Sequence, residues 1–396
     1  MDGLLILNPS KLNQLWSEVK DYFTDWEKAS FGESMRRSLK TLLEGAMKAE
    51  ILGYTKAQRY QRTKERMDYL NGFYSRNLTT SFGLIPKLLV PRRRRGVFRT
   101  RVFQRYRRRW RVVDDWVRSL FINGVSTRAV GWVMKELLDT QISAGAVSAI
   151  NKELDKQVNA FHRRLLTDDY VYLFLDGVVQ KVMSCGKLVK KIILVAYGIT
   201  TKGVREVIDF WVVKGETEHD WEVFLSDLYR RGLRDEFLHL IITDGGNGLL
   251  AALEMVYPGI DRQRCWVHKL RNVACYVPRR YQVECLAAAR RIYLASSRRE
   301  AVQRFKEWKL AWQDRVPRAV HCLEKDLAGL LTFFEQDKKM WVKLRTTNVI
   351  ERTFRELRKR TRSMYFFTNE ASCNRIIYAL FVNYNKKWEG TPILKQ

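Results

Sequence analysis

Val171-Tyr-Leu-Phe-Leu-Asp176-Gly177 and Phe237-Leu-His-Leu-Ile-Ile-Thr-Asp244-Gly245 are the stretches on which the fold turns. Each is a largely apolar run of strand length closed by Asp-Gly. Residues 171–175 are continuously apolar, the pattern of a strand covered on both faces, and 237–243 resemble them. Between the two, Lys187–Thr200 and residues 204–213 flank a turn at Gly203 and read as antiparallel partners. Residues 218–231 read as a helix. Three neighbouring strands, a crossover helix and a fourth strand predict an α/β fold on a mixed sheet with one parallel pairing.

If the strands ending at Asp176 and Asp244 are parallel neighbours, both carboxylates emerge at one sheet edge. Asp-Gly is also a common turn pair, so either could merely end its strand. A third carboxylate, Glu351, opens a basic helix over 348–362 with Ile350, Phe354 and Leu357 on one face. Its spacing from Asn348 equally suits a capping box. Carboxylates facing a polyanion repel it unless a divalent metal lies between. Mg²⁺ prefers such oxygens, and two ions ~3.5–4 Å apart can serve both oxygens of a phosphodiester displacement.

The polyanion is suggested by charge. The 396 residues carry 72 Lys and Arg against 43 Asp and Glu, a formal net charge of +29. Such an excess favours phosphate, because every neutralised phosphate releases a counterion. With 46% apolar residues the chain can bury a core, so general disorder is excluded. No apolar run has the ~18–20 residues of a spanning helix, and the start lacks the features of a signal peptide. Six cysteines do not make a disulfide framework, which leaves a reducing cytoplasm as the expectation. The charge is uneven. Residues 69–113 hold thirteen basic residues and no acid, and eleven of the thirteen fall between Arg92 and Arg111. Phe98, Phe103, Tyr106 and Trp110 interleave with them, which suits base stacking or anchoring of a small basic domain to its own core.

Residues 1–75 read as helical from Leu12, Leu15, Trp16, Val19, Tyr22 and Phe23, then Leu39, Leu42, Leu43 and Met47, with Asn71-Gly72 as a turn. Leu84, Leu88, Leu89 and Val90 suggest short strands within 76–111. Residues 112–165 read as helices, with Ser126 and Ser143 as N-caps. That outline fits a helix-turn-helix unit or a plain three-helix bundle. Residues 251–334 read as mostly helical, and a last pair of helices covers 348–362 and 370–388. Cys265 and His268 form at most half a zinc site, with no second Cys-x-x-Cys to complete it; a half-buried helical pair is the bland alternative.

Asp244-Gly-Gly-Asn-Gly248, Pro258 and Gln263-Arg-Cys265-Trp-Val-His268-Lys-Leu-Arg271-Asn272 closely resemble a signature block of mutator-type bacterial insertion-sequence transposases. Leu175-Asp176-Gly177 looks like the first block, and Arg345-Thr-Thr-Asn348 through Glu351, with Arg355, Arg358 and Arg360-Thr-Arg362, like the third. Asn71-Gly72, Arg92 to Arg95, Gly124-Val-Ser-Thr-Arg128 and Arg231-Gly232-Leu233 extend the resemblance over most of residues 40–385. Phe366-Phe367 stands where the family commonly has Phe-Pro, and the four-arginine run is heavier than usual.

The resemblance implies a ribonuclease-H-like catalytic domain (166–257 and 345–390) split by a helical insertion (258–344). An N-terminal DNA-binding or dimerisation region (1–75), a basic segment (76–111) and a helix-turn-helix (112–165) would precede it. It further implies an Asp176, Asp244, Glu351 triad on two Mg²⁺ or Mn²⁺ ions, with Cys265 and His268 beside the site. Expected DNA contacts are Arg92, Arg93, Arg94, Arg95, Arg107, Arg108, Arg109, Asn151, Lys152, Arg352, Arg355 and Arg358. The expected partners are duplex element ends and target DNA, with a homodimer pairing the ends at the bacterial nucleoid and no membrane. A transposase-derived regulator without catalysis, or a nuclease that does not join ends, are the alternatives.

Overall fold

The computed structural model describes residues 31–393 apart from 59, 105 and 363–365, and the backbone alone of 31, 32, 349, 352 and 360–362. The helical pattern expected over residues 12–23 lies outside the described residues, as do the side chains of Arg352, Arg360 and Arg362. Two compact units divide between Asn151 and Lys152.

The first unit begins with a long helix, α1 (Phe31–Thr55), followed by the antiparallel hairpin β1 (Leu70–Thr80) and β2 (Gly83–Arg93). Met47 of α1 meets Leu78, Ile85, Leu88 and Val90 of the hairpin in one buried cluster. The helical expectation through residue 75 is corrected here. Asn71-Gly72 is an irregularity inside β1, between the pairs Leu70↔Arg93 and Phe73↔Pro91. Most of β1 is exposed, so no alternating apolar pattern announces it, and its hairpin pairing with β2 overrides the helical reading. Three helices follow, α2 (Arg111–Ile122), α3 (Thr127–Leu138) and α4 (Ala144–Lys152). Ser126 Oγ accepts from Ala129 N at 3.2 Å and Ser143 Oγ from Ala146 N at 3.2 Å, so both expected caps form. Val113, Val117, Val130, Met134, Val147 and Ile150 form the shared core of these helices.

The second unit opens with α5 (Leu154–Arg163) and is organised around a five-stranded sheet. Its strands are β3 (Tyr170–Ser184), β4 (Lys187–Thr200), β5 (Arg205–Val213), β6 (Leu240–Thr243) and β7 (Asp261–Arg264), in the order β5-β4-β3-β6-β7. β3, β4 and β5 pair antiparallel, whereas β6 runs parallel to β3 and β7 parallel to β6. The mixed sheet is as expected, but it holds two parallel pairings. β7 reads Asp-Arg-Gln-Arg, an edge strand with no apolar pattern to announce it.

Both faces of the sheet are covered, which accounts for the continuous apolar runs. Leu173 and Leu175 of β3 pack with Trp221, Phe224 and Leu228 of α6 (Glu218–Arg230) and Leu249 and Leu253 of α7 (Asn247–Val256). Strand alternation turns Phe174 the other way. It meets Tyr197, which in turn meets Trp388 of α15 (Glu370–Trp388), in edge-to-face contacts at 5.5 and 5.6 Å.

Between β7 and the last helices the chain makes a helical excursion: α8 (Trp266–Cys275), α9 (Arg279–Tyr293), α10 (Arg298–Trp312), α11 (Pro317–Lys325), α12 (Leu327–Leu330), a 3-10 turn (Thr332–Glu335) and α13 (Trp341–Leu344). Buried Gln263 fastens this excursion to the sheet edge. Its amide donates to Leu330 O at 3.0 Å, and its carbonyl accepts from Phe333 N at 2.8 Å. Trp266 Nε1 donates to the same Leu330 carbonyl at 2.7 Å. The chain then forms α14 (Asn348–Arg362), and this helix and α15 have the boundaries expected from the sequence.

Candidate active site

The β3–β6 register places the first two acids. Tyr172, Leu173 and Phe174 lie opposite Leu240, Ile241 and Ile242, so continuing the register two residues sets Asp176 level with Asp244. Asp176 shares the parity of Phe174 and points away from the α6–α7 layer. It does not end its strand, however. β3 continues through Asp176-Gly177 to Ser184, so the turn alternative is excluded at this position. A Cβ at Gly177 would stand 2.8 Å from Glu216 Oε1, so this glycine and the Glu216 carboxylate are close neighbours. Asp244 does sit in a turn, accepting from Gly246 N at 2.9 Å. Gly245 has φ +85°, a conformation that favours glycine, and packs on the Arg264 guanidinium.

Glu351 comes from the first turn of α14. Its Oε1 accepts from Arg271 Nη1 at 3.1 Å and lies 3.7 Å from His268 Nε2, both on α8. The carboxylate therefore turns toward α8 and not back to Asn348 as a capping box requires. Cys265, 1% exposed, N-caps α8 and joins it to the start of α14. Thr347 N and Oγ1 donate to Cys265 Sγ at 3.3 and 3.4 Å, and Thr347 Oγ1 lies 3.5 Å from His268 Nδ1. Glu216 carries no mark of a site residue in the sequence, and Arg271 and Thr347 are marked only by lying within the blocks that carry the resemblance. Nothing in their spacing singles them out; they become neighbours only through the fold.

Charge within the site is strongly coupled. Burial pushes the Asp176 carboxyl up to about 7, with Asp244 and Glu351 adding to the rise and His268 opposing it. The hydrogen bond to Cys265 raises His268 to about 9, against its own desolvation. Burial pushes the Cys265 thiol up, but the bonds with His268 and Thr347 outweigh it and hold the thiol below its ordinary value. Glu216 is raised by burial and by Asp244. Four carboxyls thus converge on one end of the sheet, and their all-oxygen chemistry suits a hard divalent cation. The triad is not a closed cage: among the described residues no three His, Cys, Asp or Glu side chains stand close enough together to hold a metal. Glu351 is drawn aside by Arg271 and His268.

Asp176 gives a stability prediction. The folded chain keeps its proton up to about pH 7, whereas an unfolded aspartate loses it near 3.8. Folding takes up a proton between those values, so this group destabilises the fold increasingly as pH rises through the window. Asp176→Asn is expected to melt above the wild type at about pH 8 without metal, by up to about 4 kcal/mol. The difference should close near pH 4. Equal melting of the two proteins at both pH values would refute the burial argument.

The expected phosphate contacts divide. Arg92, Arg94, Arg95 and Arg108 are exposed, as are Lys152, Arg355 and Arg358. Arg93 and Arg109 are half-buried and paired, with Asp68 at 3.9 Å and Asp114 at 2.9 Å; Arg107 is half-buried too. Asn151 is the correction. It is 1% exposed and donates to Val147 O at 2.8 Å, so its side chain faces the interior. The aromatics also divide. Phe98, Phe103 and Trp110 pack against the α1–hairpin core, which supports the anchoring alternative, while Tyr106 is 81% exposed.

A family profile described as "Transposase, Mutator family" matches residues 13–391. The chain belongs to that family. It is similar to the transposase of insertion sequence element ISRM5 from Rhizobium meliloti, 34% identical over 90% of this chain and 89% of that one. It is likewise similar to the transposase of IS256 in transposon Tn4001 from Staphylococcus aureus, 32% identical over 88% and 90%. The transposase of IS1081 from Mycobacterium tuberculosis is 30% identical over 91% and 87%. No described helix of this family member is long and apolar enough to cross a membrane.

Proposed function

We propose that the chain is a catalytically active transposase that binds the terminal inverted repeats of its insertion sequence, cleaves the strand there and joins it to target DNA. The observation that carries this reading is the level placement of Asp176 on β3 and Asp244 just past the end of the adjacent parallel strand β6, with Glu351 delivered beside them by α14. On this reading the sheet is ribonuclease-H-like and the helices at 111–152 are a helix-turn-helix. Asp176, Asp244 and Glu351 would hold two Mg²⁺ or Mn²⁺ ions, which when bound activate the attacking oxygen and stabilise the leaving one.

The chain's own residues set up both displacements. Arg355 and Arg358 on α14 hold the backbone phosphates of the strand. Arg271 and His268 hold the Glu351 carboxylate and fix its approach. In the first displacement a water oxygen bonds to phosphorus and the 3′ oxygen of the element end leaves. In the second, that 3′-OH attacks a target phosphate, and the target's own 3′ oxygen leaves. Arg92, Arg94, Arg95 and Arg108 supply phosphate contacts in the first unit, and two copies of the chain pair the two ends.

The test is a labelled duplex carrying the element end, incubated with Mg²⁺ and supercoiled target. The expected results are Mg²⁺-dependent nicking, joining to target, and no cleavage in chelator. Binding should weaken at least about a thousandfold between 50 and 200 mM salt, as six or more phosphate contacts imply. Tight end binding with no nicking would assign a DNA-binding regulator. Nicking without joining would assign a nuclease.

A further inference from the structure

Thr347 faces Cys265, but its neighbours Thr346 and Asn348 line a cavity of about 660 Å³ that also takes in Arg205, Lys343, Arg355, Glu356, Tyr384 and Trp388. The cavity is cationic, with Arg205, Lys343 and Arg355 against the single acid Glu356. It has a flat aromatic element: the Tyr384 and Trp388 rings stack at 5.2 Å and 21°. The Arg205 guanidinium lies over the Trp388 ring at 5.2 Å. Among the described residues, the buried Nε of Arg205 has no hydrogen-bond partner. Buried polar groups are normally satisfied, so this one calls for a polar ligand.

These features select the ligand's chemistry. The cavity's volume is within the range of small-molecule sites and exceeds what a phosphate ion fills. The cations ask for an anion, and the ring pair asks for a planar π-system. Thr353, Arg355 and Glu356 belong to the helix that carries Glu351. We propose that this cavity receives one nucleotide extruded from the DNA strand held at the active site, its base against Trp388 and Tyr384 and its phosphate on Arg205, Lys343 and Arg355. The inference rests on the DNA-strand reading of the Asp176–Asp244–Glu351 site.

The probe is a set of duplex element ends, each with one unpaired nucleotide at a successive position around the cleavage point, bound to the full-length protein. An unpaired base is cheaper to extrude, so one position should bind about tenfold tighter than the matched duplex while its neighbours do not. Arg205→Gln and Trp388→Leu should each lose that preference. Lys343→Gln, at an exposed position, should lose part of it, about threefold, even if the other two variants fold poorly. The absence of any preferred position in the wild type would overturn the proposal, as would a preference kept by the folded variants. Deoxyadenosine monophosphate should not compete at millimolar concentration. Saturable binding of it that leaves the positional preference intact would mark a free-nucleotide site and overturn the DNA source. Failure to bind even the matched duplex is a separate outcome, which defeats the transposase reading and this proposal with it.

Discussion

End cleavage by Asp244→Asn is expected to fall at least about a thousandfold, roughly 4 kcal/mol in the barrier, while affinity for the uncleaved end stays within about twofold. The substitution is close to isosteric. An asparagine carbonyl can still accept from Gly246 N, as Asp244 Oδ1 does at 2.9 Å, so the turn between β6 and α7 should survive. What is lost is one negative charge at the position level with Asp176. Glu351→Gln should behave alike, and Glu254→Gln, whose carboxylate meets Arg262 on the surface, should cleave normally. Cleavage at the wild-type rate by either Asp244→Asn or Glu351→Gln would remove the triad assignment.

The second large effect is on stability, and it lies away from the site. Asp209 of β5 is fully buried, with Oδ1 on His162 Nδ1 at 2.7 Å and on Phe210 N at 2.7 Å. Its other oxygen binds Arg231 Nη2, while Arg231 Nε donates to Asp227 at 2.8 Å. One carboxylate therefore joins α5, β5 and the end of α6. Removing it leaves the buried Arg231 guanidinium with Asp227 as its one remaining carboxylate, and breaking a buried pair from one side costs about 3–5 kcal/mol. Asp209→Ala is expected to lose that much in urea unfolding of the metal-free chain. A loss below about 1 kcal/mol would show that the network is not needed.

That network marks the limit of what is legible in the sequence. The runs before Asp176 and Asp244 announce their strands because both sheet faces are covered, although the apolar length does not show that β3 continues past Asp176 to Ser184. Helices α14 and α15 are equally legible, their stripes repeating at three and four. Asp209, by contrast, is an acid between apolar neighbours of β5, and its partners lie far away in sequence. β7 is invisible because its polar residues serve specific hydrogen bonds, Gln263 above all, and not an apolar face. β1 is hidden because most of its residues are exposed and it carries no alternating apolar face. Asn151 looks like a surface residue from its helix and its lysine neighbour, although one helical step turns it inward. Glu216 has no signal, since only the close approach of Gly177 reveals it.

The bonds from Thr347 to Cys265 also bear on how such a chain can evolve. The polypeptide leaves the sheet at Arg264 and returns at Thr347, and those two points are held together by Thr347 N and Oγ1 on Cys265 Sγ and by Trp266 N on Arg345 O at 3.1 Å. The exit and the re-entry are therefore the same place. Whatever lies between is a closed loop whose ends are already joined, and the entropy of closing such a loop grows only slowly with its length. Helices after α8 can be added to, trimmed from or exchanged without altering the spacing of Asp244 and Glu351, while α8 itself, which holds Glu351 through His268 and Arg271, must stay. The lineage is thereby free to remodel what the insertion touches while the chemistry stays fixed.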